Sequence, residues 1–404
     1  MLLKDNVYSV GVIDWNNREF HESTYKIRRG TTYNSYLVLD KKNVLIDGVH
    51  QSYKNQFISN IKKIINPKKI DIIILNHIEP DHSGAIMQVL ASCSYNVIIY
   101  STRKAKEGFL KYYNDNVMLY NIEWRTISSF QEITIGKRTL QFIETPMMHW
   151  PDSMVTYSKL DNILFSNDIF GQHYATNQIF DDDLGIHCSI LFEEAKKYYA
   201  NILWTFNPVI LSKLDILVKL PIKLIAPSHG LVWRKYICRI TQQYINWASN
   251  LLKDKVTIIY ESMWHSTEKI AYSMLEGVTS EHLDAYLFNV TKIDKTDILS
   301  HMLDSKGWII GSSTNNRQML PVMSTLLNCI KYINKVNTRL SSVFGSYGWS
   351  GEAIDDIKKV LSNITLTLNQ FCFSCVFNPT NDELNECYNI AKQFAIRIKN
   401  NNII

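Results

Sequence analysis

Over the first ~245 residues apolar positions recur with a period near two, in short runs bounded by turn-forming residues. "NSYLVLD" (34–40), "NVLIDG" (43–48), "IDIIILNH" (70–77), "YNVIIYS" (95–101), "RTLQFIETP" (138–146), "MVTYSKLDNILFSND" (154–168) and "IKLIAPSHG" (222–230) all read as strands. Helical spacing appears between some of them, in "SYKNQFISNIKKII" (52–65) and "FEEAKKYYANILWTF" (192–206). That mixture predicts an α/β sandwich.

From about residue 256 the rhythm becomes a regular strand–helix alternation. The strands are "KVTIIYES", "LDAYLFNV", "GWIIGSST", "RLSSVFGS" and "NQFCFSCVF". Each is followed by a helix, from "TEKIAYSMLEGV" through "KTDILSHMLD", "MLPVMSTLLNCIKYI" and "GEAIDDIKKVLSN" to "NDELNECYNIAKQFAIRI". Five such units predict a doubly wound parallel sheet. A helix over 239–253, "RITQQYINWASNLLK", is expected to join the halves, which gives domains at 1–250 and 251–404.

Composition narrows the function classes. Hydrophobic residues at 46% and charged residues at 20% fit a globular protein, and the apolar runs are strand-sized, so no membrane segment is expected. The N-terminus lacks the pattern of a signal peptide, and cytoplasm is the default. A net charge of +5 is dispersed, with "KKIINPKKI" its densest stretch, so nucleic-acid binding is not expected. The seven cysteines are scattered and odd in number, which argues for a reducing compartment. Cys372 and Cys375 form a C-x-x-C in the last predicted strand, best read as a buried structural pair, with a redox or zinc role as the lesser alternative.

The chemistry concentrates in "NHIEPDHSGA" (76–85), where His77, Glu79, Asp81 and His82 fall within six positions at a strand's carboxyl end. An extended backbone there would point His77, Glu79 and Asp81 one way and His82 across, so one loop could feed two metals. His149 in "TPMMHWPDS", Asp168 in "LFSNDIFG" and His229 in "IAPSHG" lie at further strand ends or turns, and Asp168 suits a bridge. Taken singly, each is better read as a satisfied polar residue.

In the second half the first strand-to-helix turn, "YESMWHSTEK", has neither a dinucleotide glycine motif nor a P-loop. It places Ser262, Met263, Trp264, His265, Ser266 and Thr267 at a helix N-terminus, where the partial positive charge suits a phosphate and hydroxyls also serve as caps. "GSSTNNRQMLP" supplies Ser312, Ser313, Thr314, Asn315 and Asn316. "FGSYGWSGEA" supplies Ser346, Tyr347, Gly348, Trp349 and Gly351. These loops belong to one crevice in a doubly wound order, where Trp264 or Trp349 could stack on a flat ring.

The spaced H-x-E-x-D-H, His, Asp, His set resembles the metallo-β-lactamase-like αβ/βα sandwich. Glu79, where zinc hydrolases of that group carry histidine, together with "GTTYNSYLV", "EAKKYYANIL" and the flavodoxin-like loops, resembles the flavodiiron proteins across essentially the whole chain. The resemblance implies two irons and FMN. It makes His77, Glu79 and His149 ligands of one iron, Asp81 and His229 ligands of the other, and Asp168 the bridge. His82 matches a histidine of variable coordination. His21 and Tyr198 or Tyr199 match residues near the gas pocket, although helix packing is the plain alternative for the tyrosines. His50, His173 and His187 have weaker claims, with His173 suited to an outer position. Ser313 departs from the family's "GSPT" and predicts a looser turn around the flavin.

The implied reaction is reduction of O2 to water or of NO to N2O by a di-iron site fed by FMN. The resemblance also implies a head-to-tail homodimer or a dimer of dimers. No rubredoxin module or reductase domain is recognisable, so an external donor such as rubredoxin or a reductase is expected. The rival reading is a binuclear zinc hydrolase with an accessory flavodoxin-like domain. An electron carrier with a vestigial metal site is the third.

Overall fold

The computed structural model describes residues 1–20, 24–93, 96–117, 120 and 122–400. It divides into two compact units, Met1–Ile245 and Asn246–Ile404.

The first unit contains two sheets. One orders Leu2–Lys4, Val7–Ser9, Tyr36–Val38, Asn43–Ile46, Ile70–Leu75, Val97–Ser101 and Ile122–Thr126. The other orders Glu132–Thr134, Thr139–Glu144, Met154–Ser158, Ile163–Asn167 and Leu224–Pro227. The strand "IDIIIL" shows how the layers form. Ile72 and Ile74 enter a core between the sheets with Phe142, Met154 and Phe165. Ile73 and Leu75 face the other way, onto Phe57 and Ile61 of the helix Lys54–Lys62 and Ile86 and Val89 of the helix Ile86–Ser92. A strand buried on both faces has no polar alternation to show, which is why this one reads as a continuous apolar run.

Several helices exceed what periodicity predicts, among them Arg103–Val117 and Asn207–Leu217. The helix starting at Cys188 is regular to Tyr198, widens over Tyr199–Leu203 and tightens over Trp204–Phe206. The joining helix runs Ile237–Ala248 and stops short of 253, because Asn250 takes a left-handed φ of 54° that ends the helical path.

The second unit is a parallel sheet ordered Asp284–Asn289, Lys253–Glu261, Ser305–Asn315 and Leu340–Tyr347, with Leu366–Thr367 and Phe373–Val376 both pairing to the last of these. This is the flavodoxin-like order. The predicted strand over "NQFCFSCVF" is broken: Asn369–Phe371 forms a tight helical turn and the strand begins at Phe373. Only Cys375 is therefore fully buried, while Cys372 is half-buried outside the strand. Among the described residues no helix is long and apolar enough to cross a membrane.

Candidate metal centre and cofactor cradle

The seven ligand candidates lie just beyond strand ends of the first unit. His77 and Glu79 follow Ile70–Leu75, Asp168 follows Ile163–Asn167, His229 follows Leu224–Pro227, and His149 lies between Thr139–Glu144 and Met154–Ser158. The backbone after Glu79 is not extended, as alternation would require. Pro80, whose fixed φ suits a first helical position, opens the helical turn Pro80–Ser83. That turn separates Asp81 and His82 from His77 and Glu79, which corrects the expected three-against-one arrangement.

The result is two sets of donors around one carboxylate. His77 Nε2 lies 3.3 Å from Glu79 Oε2, and His149 Nε2 lies 3.6 Å from the same oxygen. Asp168 Oδ2 closes this set at 3.4 Å from His149 and 4.0 Å from His77. In the second set Asp81 Oδ2 lies 3.3 Å from His82 Nε2 and 3.1 Å from His229 Nε2. Asp168 Oδ1 closes it at 3.1 and 3.5 Å. Donors bound to one metal at about 2.1 Å stand about 3.0–3.4 Å apart, so most of these contacts match a shared cation.

The polar atoms support that fit. Neither oxygen of Asp81, neither ring nitrogen of His82, nor Asp168 Oδ2 has a well-aligned hydrogen bond among the described residues, although all are buried. Burial alone would raise the Asp168 carboxyl, but His82 and His149 outweigh it and hold it well below the usual carboxylate range. Burial likewise opposes the charge on His82, yet Asp168 and Asp81 push it up to about 9. The carboxylates that draw a proton to His82 present the same negative field to a cation, which would displace that proton on binding.

Outer contacts orient the imidazoles. His77 Nδ1 pairs with Asp152 Oδ2 at 2.8 Å, and His229 Nδ1 donates to the Thr32 carbonyl at 2.7 Å. Buried Asp47 accepts from the Asn76 backbone and side chain. His173 bonds Thr31 Oγ1 at 2.8 Å and packs against the rings of His229 and Tyr198. Sequence reasoning overlooked Asp152, although it stands three residues after His149.

The two tyrosines part company. Tyr198 donates to Asp168 Oδ1 at 3.1 Å, whereas Tyr199 directs its hydroxyl to Asn207 Oδ1. Adjacent residues on a helix point about 100° apart, which sends the two hydroxyls to different partners. His21 lies outside the described residues. His50 stacks on Tyr33 in a cleft of about 640 Å³ that opens on Glu79 and Asp81, while His187 is exposed ahead of the helix at Cys188.

In the second unit the three loops converge on Thr267. Its Oγ1 lies 2.8 Å from Ser313 Oγ and 2.8 Å from Ser346 Oγ, at the N-terminal end of the helix Ser266–Thr279. Ser262 Oγ is buried there with no hydrogen-bond partner among the described residues. Uncharged hydroxyls at a helix N-terminus, one of them unsatisfied, fit a phosphate. His265 pairs with Glu268 at 2.5 Å, and Ser312 Oγ accepts the Leu320 N–H at 3.0 Å. Thr314 Oγ1 accepts weakly from Ala353 N at 3.4 Å, and Asn315 and Asn316 form a hairpin towards Gln318. Tyr347 and Gly348 are half-buried, Gly351 caps the next helix, and Met263 is exposed. Trp264 and Trp349 are 85% and 79% exposed.

A buried cluster of imidazoles and carboxylates in an αβ/βα sandwich, followed by a flavodoxin-like sheet with hydroxyls at a helix N-terminus, fits a flavin- and metal-dependent redox protein. Residues 31–230 match the ODP family beta lactamase and residues 258–390 match flavodoxin. The nitric oxide reductase of Moorella thermoacetica is 38% identical, over 98% of each chain. The rubredoxin oxygen:oxidoreductase of Desulfovibrio gigas superposes with a TM-score of 0.93 at 32% identity, covering 99% of each chain. The flavodiiron protein of Giardia intestinalis gives 0.90 at 30%, covering 99% of this chain and 96% of that one. The chain belongs to the flavodiiron proteins, oxidoreductases that reduce nitric oxide or dioxygen with FMN and a di-iron site.

Proposed function

We propose that the sandwich domain, residues 1–250, binds one iron through His77, Glu79 and His149 and the other through Asp81, His82 and His229. Asp168 bridges them, and the domain 251–404 holds FMN on its three loops. The observation that carries this reading is Asp168, whose two oxygens face opposite donor sets. When bound, the flavin and the iron pair would supply electron transfer and reduction of O2 to water or NO to N2O.

The chain's own residues supply orientation and proton placement. Asp152 and the Thr32 carbonyl fix the Nδ1 side of His77 and His229, leaving Nε2 of each towards the cluster. Tyr198 keeps its proton on the hydroxyl, because burial raises that group well above its ordinary value, and so remains a donor to Asp168. His173 and Phe20 wall the second set with rings in contact with His229. The cleft over Glu79 is lined by Phe20, Tyr33 and Tyr53 and gives a small neutral gas a route in.

The D. gigas relative's name supports a rubredoxin as electron donor. A head-to-tail homodimer in the cytoplasm is the assembly and location that family membership favours. Metal analysis and an absorption spectrum of the purified protein test the proposal: about two irons and one FMN per chain are expected, and zinc without flavin would sink it.

A further inference from the structure

Two metals with matching inner donors differ in what stands behind those donors. Each set here offers two imidazoles, one carboxylate of its own and one oxygen of Asp168. Behind the first set, His77 Nδ1 hydrogen-bonds Asp152 Oδ2 at 2.8 Å. Asp152 is 3% exposed and is anchored independently of that bond. Its Oδ2 also accepts the Ile78 N–H at 3.0 Å, and its backbone carbonyl accepts the Thr102 hydroxyl at 2.9 Å. Behind the second set, His229 Nδ1 donates to a peptide carbonyl, that of Thr32, at 2.7 Å. Asp47 is the other buried carboxylate near the second set, but its oxygens accept from Asn76, and His82 Nδ1 has no hydrogen-bond partner among the described residues.

An anionic acceptor draws the Nδ1 proton more strongly than a neutral carbonyl and makes the opposite ring nitrogen a better donor to a metal. We propose that Asp152 is a positioning residue that sets the two metals apart, holding the one at His77 more tightly and stabilising its oxidised state relative to the one at His229. The inference rests on the two-metal reading of the cluster. Asp152 reaches the metal only through His77, so its effect belongs to one site of the pair.

The test compares wild type with Asp152→Asn and Asp152→Ala, each reconstituted anaerobically with Fe(II). Chelator titration, potentiometry of the metal signals, FMN content and thermal unfolding are measured on each. Asparagine keeps an oxygen that can accept both N–H groups, so D152N retains the geometry and loses the charge. In D152N one iron of the two should yield to chelator about 10- to 100-fold more readily, the range for loss of an outer partner. One metal couple should shift to a more positive potential, with FMN content and unfolding temperature unchanged. D152A should hold about one iron per chain. If D152N releases both irons as wild type does at unchanged potentials, or loses both equally, the proposal is overturned. Wild-type protein that binds fewer than two metals overturns the two-metal reading, and the inference with it.

Discussion

Thr267→Val removes a single hydroxyl at the point where the three loops of the second unit meet. Valine keeps the shape, so the change is confined to hydrogen bonding. The structure shows Oγ1 in contact with Ser313 and Ser346, both at 2.8 Å. At about 0.5–1.5 kcal/mol net for each neutral bond, the unliganded unit should lose about 1–3 kcal/mol. A hydrogen bond to a charged phosphate is worth about 1.5–3 kcal/mol, and each 1.4 kcal/mol is tenfold in affinity. FMN should therefore bind at least about ten-fold, and up to roughly a hundred-fold, more weakly. The assay is quenching of flavin fluorescence on addition to apoprotein, with riboflavin as the control that lacks the phosphate. Riboflavin binding should be nearly unchanged. An FMN Kd within about threefold of wild type, or equal weakening for both flavins, refutes the placement of the phosphate at Thr267.

Glu79→Ala should abolish O2 and NO reduction while leaving FMN bound; turnover retained with either gas would show that Glu79 is not part of the metal centre. Gly230 has φ 80°, and a Cβ there would sit 1.6 Å from Gln172 Oε1, which accepts the Leu231 N–H at 2.5 Å. Gly230→Ala should lose about 2–5 kcal/mol from left-handed strain and displaced hydrogen bonds, and should loosen the metal at neighbouring His229; unchanged unfolding temperature and metal content count against this. Desolvation opposes the charge of half-buried Asp40, but the backbone N–H groups of Lys41, Lys137 and Arg138 and the Arg138 guanidinium hold its carboxyl below the usual range. A depressed folded value stabilises the fold above the unfolded value near 3.9 and loses that contribution as pH falls through the folded one. Asp40→Asn should thus unfold more easily than wild type in denaturant at pH 7, with the gap closing below about pH 4. A gap that stays constant with pH excludes the carboxylate as its source.

Much of the molecule was legible in the chain. The strands of both units appear as short alternating or continuous apolar runs because each buries one or both of its faces. The change of rhythm near residue 250 predicts two domains, and the structure divides between Ile245 and Asn246. The ligand candidates stood out because four of them crowd into 76–85, and the hydroxyl cluster around Thr267 because hydroxyls collect before a helix. Helices Arg103–Val117 and Asn207–Leu217 were missed, since their apolar positions become distinctive only against the sheet and helices they cover.

Residue types and local spacing thus determined that this protein builds a sandwich and a doubly wound sheet, with donors suited to two metals and a flavin phosphate. Only the tertiary structure decided which of those donors stand together. The turn at Pro80 carries Asp81 and His82 to the second set, and Asp168 comes between the sets because its strand pairs with the one that precedes His229. The choice of Tyr198 over Tyr199, and of Asp152 as the acceptor behind His77, likewise rests on contacts across 30 and 75 residues. Local sequence specifies conformation and chemistry along a segment, but such contacts exist only once the sheets have closed and brought distant strand ends to one edge.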